Sequence, residues 1–211
     1  FLIGHYKFSR NFLRAEINAN APLPDGVSFE DALIDQLHGE VKRTGARVVI
    51  VDNVTYLRSG AVRTAEAITL MKRLRELKAE LGLSILVLAH TPKRHTSQPL
   101  NINDLQGSKV LANFADNIFA IGQSRYDSSH RYIKHIKPRS TEMIYDSQHV
   151  PGFVLAKSGG NFLSFTFVGW REEAVHLSSK FDSMRLDKAD QMKRLADEGV
   201  TQRQIAAQFE T

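Results

Sequence analysis

Cysteine is absent from this sequence. That excludes disulfides and thiolate metal sites, and with no thiol to mark an oxidising compartment a cytoplasmic location is the expectation. Long apolar runs are missing too. None approaches the ~18–20 residues that cross a bilayer, so no membrane-spanning helix is predicted. The first residue is Phe1 rather than Met, no signal-peptide pattern follows it, and the sequence reads as part of a longer chain. The excess of one charge is small: 28 Lys and Arg stand against 23 Asp and Glu, a formal +5. Such a balance permits a phosphate-rich partner without demanding one. The eight histidines show no metal-ligand spacing, and no repeat or low-complexity tract is present.

What is present is a globular composition. Hydrophobic residues make up 42% of 211, enough for a packed core in one α/β domain with a small appendage. Residues 11–18 (NFLRAEIN) alternate apolar and polar side chains as a strand with one buried face would. The turn-rich NAPLPDG follows, and then Ser28 stands where a helix cap belongs, before Phe29, Leu33, Leu37 and Val41 at a four-residue step. Gly45 is placed to end that helix. RVVIVD, residues 47–52, is an unbroken apolar run closing on an acid, and predicts a central parallel strand buried on both faces.

A helix over 63–81 is expected next, stopped by Gly82, and then a second continuous strand, SILVLAH, over 84–90. Strand, helix, strand in this order is the pattern of an α/β parallel sheet. Helix is expected over 103–114, and shorter strands over 116–121, 131–137, 142–146, 152–156 and 162–168, with a hairpin signal at Ser158-Gly159-Gly160-Asn161. Antiparallel strands added to the end of a parallel sheet are the natural reading. Residues 1–170 are thus expected to form the core and 171–211 a helical tail.

Two strand ends carry the chemistry. Asp52 lies at the carboxyl end of VVIV, where open α/β sheets bind ligands, and in a nucleotide site such a carboxylate holds Mg²⁺ through water. The bland alternative is a strand that ends on a solvated acid. The second strand ends Leu88-Ala89-His90-Thr91, so polar groups sit at a carboxyl end again, beside Asp52 if the strands are neighbours. Asp52, Asn53, His90 and Thr91 are the candidate nucleotide-binding residues. A His or Thr there can hydrogen-bond a γ-phosphate or its attacking water. Its bland alternative is a surface histidine.

In this order and spacing the residues resemble a known family. VVIVD is similar to a Walker B element, and LVLAHTPKR (86–94) resembles the γ-phosphate-sensing strand end of RecA-like hexameric helicases. DLQGSKVLANFADNIFAIGQS (104–124) resembles the segment that follows it there. Together they resemble the RepA-type and DnaB-type replicative helicases and the wider AAA_25 group of P-loop ATPases, from about residue 11 to 168. The resemblance implies a RecA-like, mostly parallel sheet flanked by helices, ATP and Mg²⁺ as cofactors, and a homo-oligomer, usually a hexameric ring. It also implies single-stranded DNA as partner, and a helicase or replication role on a plasmid or other mobile element.

The resemblance assigns further residues. Lys137 and Arg139 in IKHIKPRS are two apart, so a strand points both to one side. They resemble the Lys-x-Arg pair that such ATPases project into a neighbouring subunit's site, where cations stabilise charge on the transferring phosphoryl group. A basic edge strand is the alternative. Gln106, Ser108 and Lys109 fall in the segment that approaches single-stranded DNA in related rings. EGVTQRQIAAQFET (198–211) resembles the first part of a resolvase-type helix-turn-helix, with Thr201 as cap and Ile205 and Ala206 turned inward.

The departures are equally definite. No G-x-x-x-x-G-K-[ST] phosphate loop occurs in these 211 residues, and neither does the family's strand carrying a catalytic Glu. This chain alone is therefore not expected to hydrolyse ATP. Two further readings stay open: a non-catalytic RecA-like oligomerisation or DNA-binding module, and a KaiC-like or recombinase-type ATPase without unwinding activity.

Overall fold

The computed structural model describes residues 9–18, 22–53, 64–91, 94–105, 109–157 and 163–209. They divide into two units, one within residues 6–94 and 101–118, the other within 95–100 and 119–211. The architecture is mixed α/β, with a two-stranded parallel sheet and a separate four-stranded sheet.

The first unit starts with α1, Phe29–Thr44, and each end has a local cause. Ser28 Oγ accepts the Asp31 backbone N–H at 3.1 Å, satisfying one of the donors a helix start leaves over. Gly45 takes the left-handed conformation at φ 68°, and its N–H closes on the Val41 carbonyl at 2.9 Å. Strand β1, Val48–Val51, then pairs in parallel with β2, Ser84–Val87, through α2, Thr64–Leu81. Helix α2 ends at Gly82, with φ 62°.

Both helices bury their apolar stripes against the same face of this sheet. Leu33, Leu70 and Leu74 pack with Ile85, Val87 and Ala89, while Val41, Leu77 and Leu83 pack with Val49 and Ile85. The expectation of strands covered on both faces is not met among the described residues. Val48, Ile50, Leu86 and Leu88 are exposed, Val48 by 62%. The physical reason is the strands' alternation: α1 and α2 reach only the face of Val49, Ile85 and Val87.

Beyond β2 a single 3₁₀ turn, Ile102–Asp104, precedes α3, Lys109–Phe114, where the sequence predicts one continuous helix. The Asn101 side chain accepts the Asn103 N–H, and Asp104 accepts the Asn101 N–H, so the turn caps itself. Lys78 on α2 bonds Asp116 at 2.7 Å, just before β3, Asn117–Gln123.

The second unit holds the sheet β3–β4–β5–β6, with β4 His130–Pro138, β5 Val150–Lys157 and β6 Leu163–Arg171. Pairing β4–β5 and β5–β6 is antiparallel, and Val168 forms a bulge on β6. The antiparallel strands thus form their own sheet among the described residues, where the sequence predicts an extension of the parallel one. Inner-facing Tyr132 and Val150 pack with Leu100, Ala120 and Ile136. Gly122 has a steric cause: a Cβ there would lie 2.3 Å from the Tyr132 ring. Helices α4 Glu173–Leu177, α5 Lys180–Asp197 and α6 Gln202–Phe209 follow. Gly199, at φ 83°, turns the chain between α5 and α6.

Some expected elements differ. Residues 11–18, which alternate, and 142–146 were both expected as strands, but neither joins a sheet among the described residues. Alternation marks a side-chain pattern; a strand also needs a partner for its N–H and C=O groups. The expected hairpin at 158–161 lies outside the described residues. Ile205 is buried as expected on α6, but Ala206 is exposed. No helix among the described residues is long and apolar enough to cross a membrane.

Candidate functional site

The strand-end groups meet because β1 and β2 are parallel neighbours in register. Val51 stands opposite Val87, and the ladder continues one step further, with the Leu88 N–H donating to the Val51 carbonyl at 2.9 Å. The two strands therefore run out at the same edge. Asp52 and Asn53 leave one, and His90 and Thr91 leave the other. Asn53 Nδ2 and His90 Nε2 lie 2.8 Å apart and join the two exits directly.

An amide nitrogen can only donate, so His90 Nε2 is the acceptor of this contact. Asp52, His90 and Thr91 are exposed and Asn53 is half-buried. The Asp52–Asn53 peptide bond is cis. The rim thus combines an exposed carboxylate, an oriented imidazole, an amide and a hydroxyl at the carboxyl end of a parallel sheet, where open α/β folds bind their ligands.

The segment after His90 is fastened by a pair that sequence reasoning did not single out. Arg94 Nε bonds Asp104 Oδ1 at 3.1 Å, both side chains less than a fifth exposed, and Asp104 also caps the 3₁₀ turn. The Asn-x-x-Asp spacing at 101–104 was the available signal. Through this pair Arg94 is fastened to the 3₁₀ turn.

The other expected site residues fall as follows. Gln106 and Ser108 lie outside the described residues, and Lys109 opens α3. Lys137 is half-buried near the end of β4, and Arg139 is exposed one residue past that strand, both in the second unit. No group of three or more His, Cys, Asp or Glu side chains that could hold a metal occurs among the described residues.

No family model matches the sequence, and neither does any curated protein. Among solved structures, a KaiC-like protein from the hyperthermophile Pyrococcus horikoshii OT3 is similar, with a TM-score of 0.47 and 14% identity. The match covers 65% of this chain and 56% of that one, so the chain spans little more than half of that structure's length.

The second unit contains a polar cluster that no local spacing announced. Glu173, 1% exposed, accepts the Leu100 N–H at 2.7 Å and the Tyr132 hydroxyl at 3.3 Å, and it also pairs with Lys134. His176 beside it is fully buried, stacks on Tyr132 at 4.7 Å, and takes its Nδ1 partner from Ser124 at 2.6 Å. Burial, reinforced by the charges of Arg171 and His130, holds its pKa down at about 4. Its Nε2 has no hydrogen-bond partner among the described residues. These residues pack together within that unit.

Proposed function

We propose that this chain is part of an ATP-dependent, oligomeric DNA-processing ATPase of RecA-like type, in which the rim of Asp52, Asn53, His90 and Thr91 faces the nucleotide. The single observation behind this reading is the 2.8 Å link between Asn53 and His90, which brings both strand exits to one edge. In this reading residues 1–170 form the ATPase core and 171–211 a helical tail.

The residues present fit Mg²⁺. Asp52 offers one exposed carboxylate, and among the described residues no group of three or more His, Cys, Asp or Glu side chains could build an all-protein cage. That is how a small hard cation is held in nucleotide sites, with water and phosphate oxygens filling its shell. The ion would neutralise charge on the phosphates. Asn53 fixes the plane of the His90 ring, which would face a phosphate oxygen or its attacking water. Arg94, locked to Asp104, would pass any movement of this exit to the segment 106–109, where Gln106, Ser108 and Lys109 would meet single-stranded DNA. Lys137 and Arg139 would act on the neighbouring subunit's nucleotide in a ring, a hexamer in this reading. The phosphate loop must then be supplied by residues outside this sequence.

The test uses a form of the protein extended to include a G-x-x-x-x-G-K-[ST] run. Asp52→Asn and Arg139→Ala should each remove hydrolysis, the latter by roughly 10³-fold or more with ATP binding retained. Mixing the two inactive proteins should restore activity, because some interfaces then pair an intact Asp52 with an intact Arg139. An Arg139→Ala protein with full turnover, or no recovery on mixing, would remove the trans role. Tight Mg-ATP binding by the 211-residue chain alone would overturn the need for an external phosphate loop.

A further inference from the structure

The four strands β3–β6 contain no Asp or Glu at any position, yet they carry Arg131, Lys134, Lys137, Lys157 and Arg171. The inner-facing cations each meet an acid from outside the sheet: Lys134 pairs with Glu173, and Arg171 with Asp187. Strand alternation sends Arg131, Lys137 and Lys157 to the opposite, outer face. The register sets Arg131 across from Phe153 and Lys157 across from Leu163.

That same outer face carries a continuous row of rings. Phe165 to Phe153, Phe153 to Phe167, Phe167 to Trp170 and Trp170 to Tyr145 are separated by 6.0, 5.8, 5.7 and 5.6 Å between centroids. Phe165, Phe167 and Trp170 are each about half exposed, at 50%, 50% and 52%. A row of open aromatic rings flanked by cations, on a sheet without a single acid, selects its partner by charge. A second copy placed face to face would set cation against cation. A polyanion with flat apolar groups matches both features, and a duplex hides those groups in its own stack.

We propose that the outer face of this sheet binds single-stranded DNA, with bases stacked on Phe165, Phe167 and Trp170 and phosphates held by Arg131 and Lys157. The choice of DNA over RNA rests on the function proposed above; the surface itself uses none of the residues of the nucleotide rim.

Trp170 is the one tryptophan of the chain, so its emission reports on this face alone. The 211-residue chain is titrated with oligo-dT, without nucleotide or Mg²⁺, following Trp170 fluorescence and the anisotropy of a labelled strand. Saturable quenching by oligo-dT and none by a duplex of equal length is expected. Phe165→Ala with Phe167→Ala should weaken binding about tenfold or more. Lys157→Gln should flatten the log–log salt dependence by roughly 0.7. Circular dichroism confirms that the variants fold, and quenching in the unaltered protein stands independently of them.

Oligonucleotide binding that leaves Trp170 emission unchanged would overturn the proposal, as would undiminished affinity in the double variant. Tighter binding of an oligoribonucleotide would overturn the choice of DNA. Self-association that quenches Trp170 without DNA would assign the face to a second copy. Because no nucleotide is present, failure here leaves the Asp52–His90 rim untested and intact, and failure of that rim leaves this result standing.

Discussion

Replacing Glu173 by alanine removes the acceptor of three donors at once: the Lys134 ammonium, the Leu100 N–H and the Tyr132 hydroxyl. The Glu173 side chain is 2% exposed and that of Lys134 13%, so water cannot take over the lost bonds. Among the described residues Lys134 then keeps only the Leu100 carbonyl, at 2.9 Å. Breaking a buried pair from one side costs about 3–5 kcal/mol, because it strands a charge in a low-dielectric setting. For a chain of this length that is a fall in Tm of roughly 6–20 °C. Urea unfolding followed by Trp170 emission and by far-ultraviolet circular dichroism measures it. Adding Lys134→Met to Glu173→Leu should recover much of the loss, since no charge is then buried. A residue of about 1–3 kcal/mol should persist because the Leu100 N–H still lacks an acceptor. A Glu173→Ala cost below about 1 kcal/mol, or a double variant no better than the single one, would refute the reasoning.

Other outcomes follow from the same geometry. The His176 ring accepts a proton near pH 6.5 when unfolded but resists it to about 4 when folded, so the unfolded state binds more protons between those values. Stability should be full above pH 6.5 and fall by up to about 3 kcal/mol as pH drops toward 4; His176→Phe should flatten that slope in urea melts across the range. Gly122→Ala drives a methyl into the Tyr132 ring and should cost about 1–3 kcal/mol, read as a shift in urea midpoint. Ser28→Ala leaves the Asp31 N–H without its cap and should cost about 1 kcal/mol, measured by thermal melting.

The readable parts of the fold are those with local causes. Ser28 and Gly45 bound α1 as their chemistry dictates, and Gly82 and Gly199 stop chains where glycine alone takes a positive φ easily. That the two strand exits reach one edge was legible, because a strand–helix–strand unit returns there. The sequence pointed to Asp52 beside His90, whereas the side chain 2.8 Å from the ring is Asn53. Burial of a strand's second face was not legible. An apolar run such as VVIV has no alternation to show that Val48 and Ile50 face away from α1 and α2. Residues 142–146 carry an apolar stretch that reads as a strand, yet the Tyr145 carbonyl accepts the single N–H of His135 and 142–146 enter no ladder among the described residues. The Glu173 cluster draws on Leu100, Tyr132 and Lys134, as many as 73 residues distant, and no spacing rule joins them.

The rim of Asp52 and His90 is tested most directly by letting the bound metal mark its own surroundings. Fe²⁺ replaces Mg²⁺ with ATP in the extended protein, ascorbate and peroxide generate hydroxyl radicals at the ion, and the cleaved peptide bonds are sequenced. Cleavage beside residues 52–53 and 90–91, lost in Asp52→Asn, is the predicted result. Cleavage elsewhere, with Asp52→Asn binding Mg-ATP and cutting as before, would contradict it.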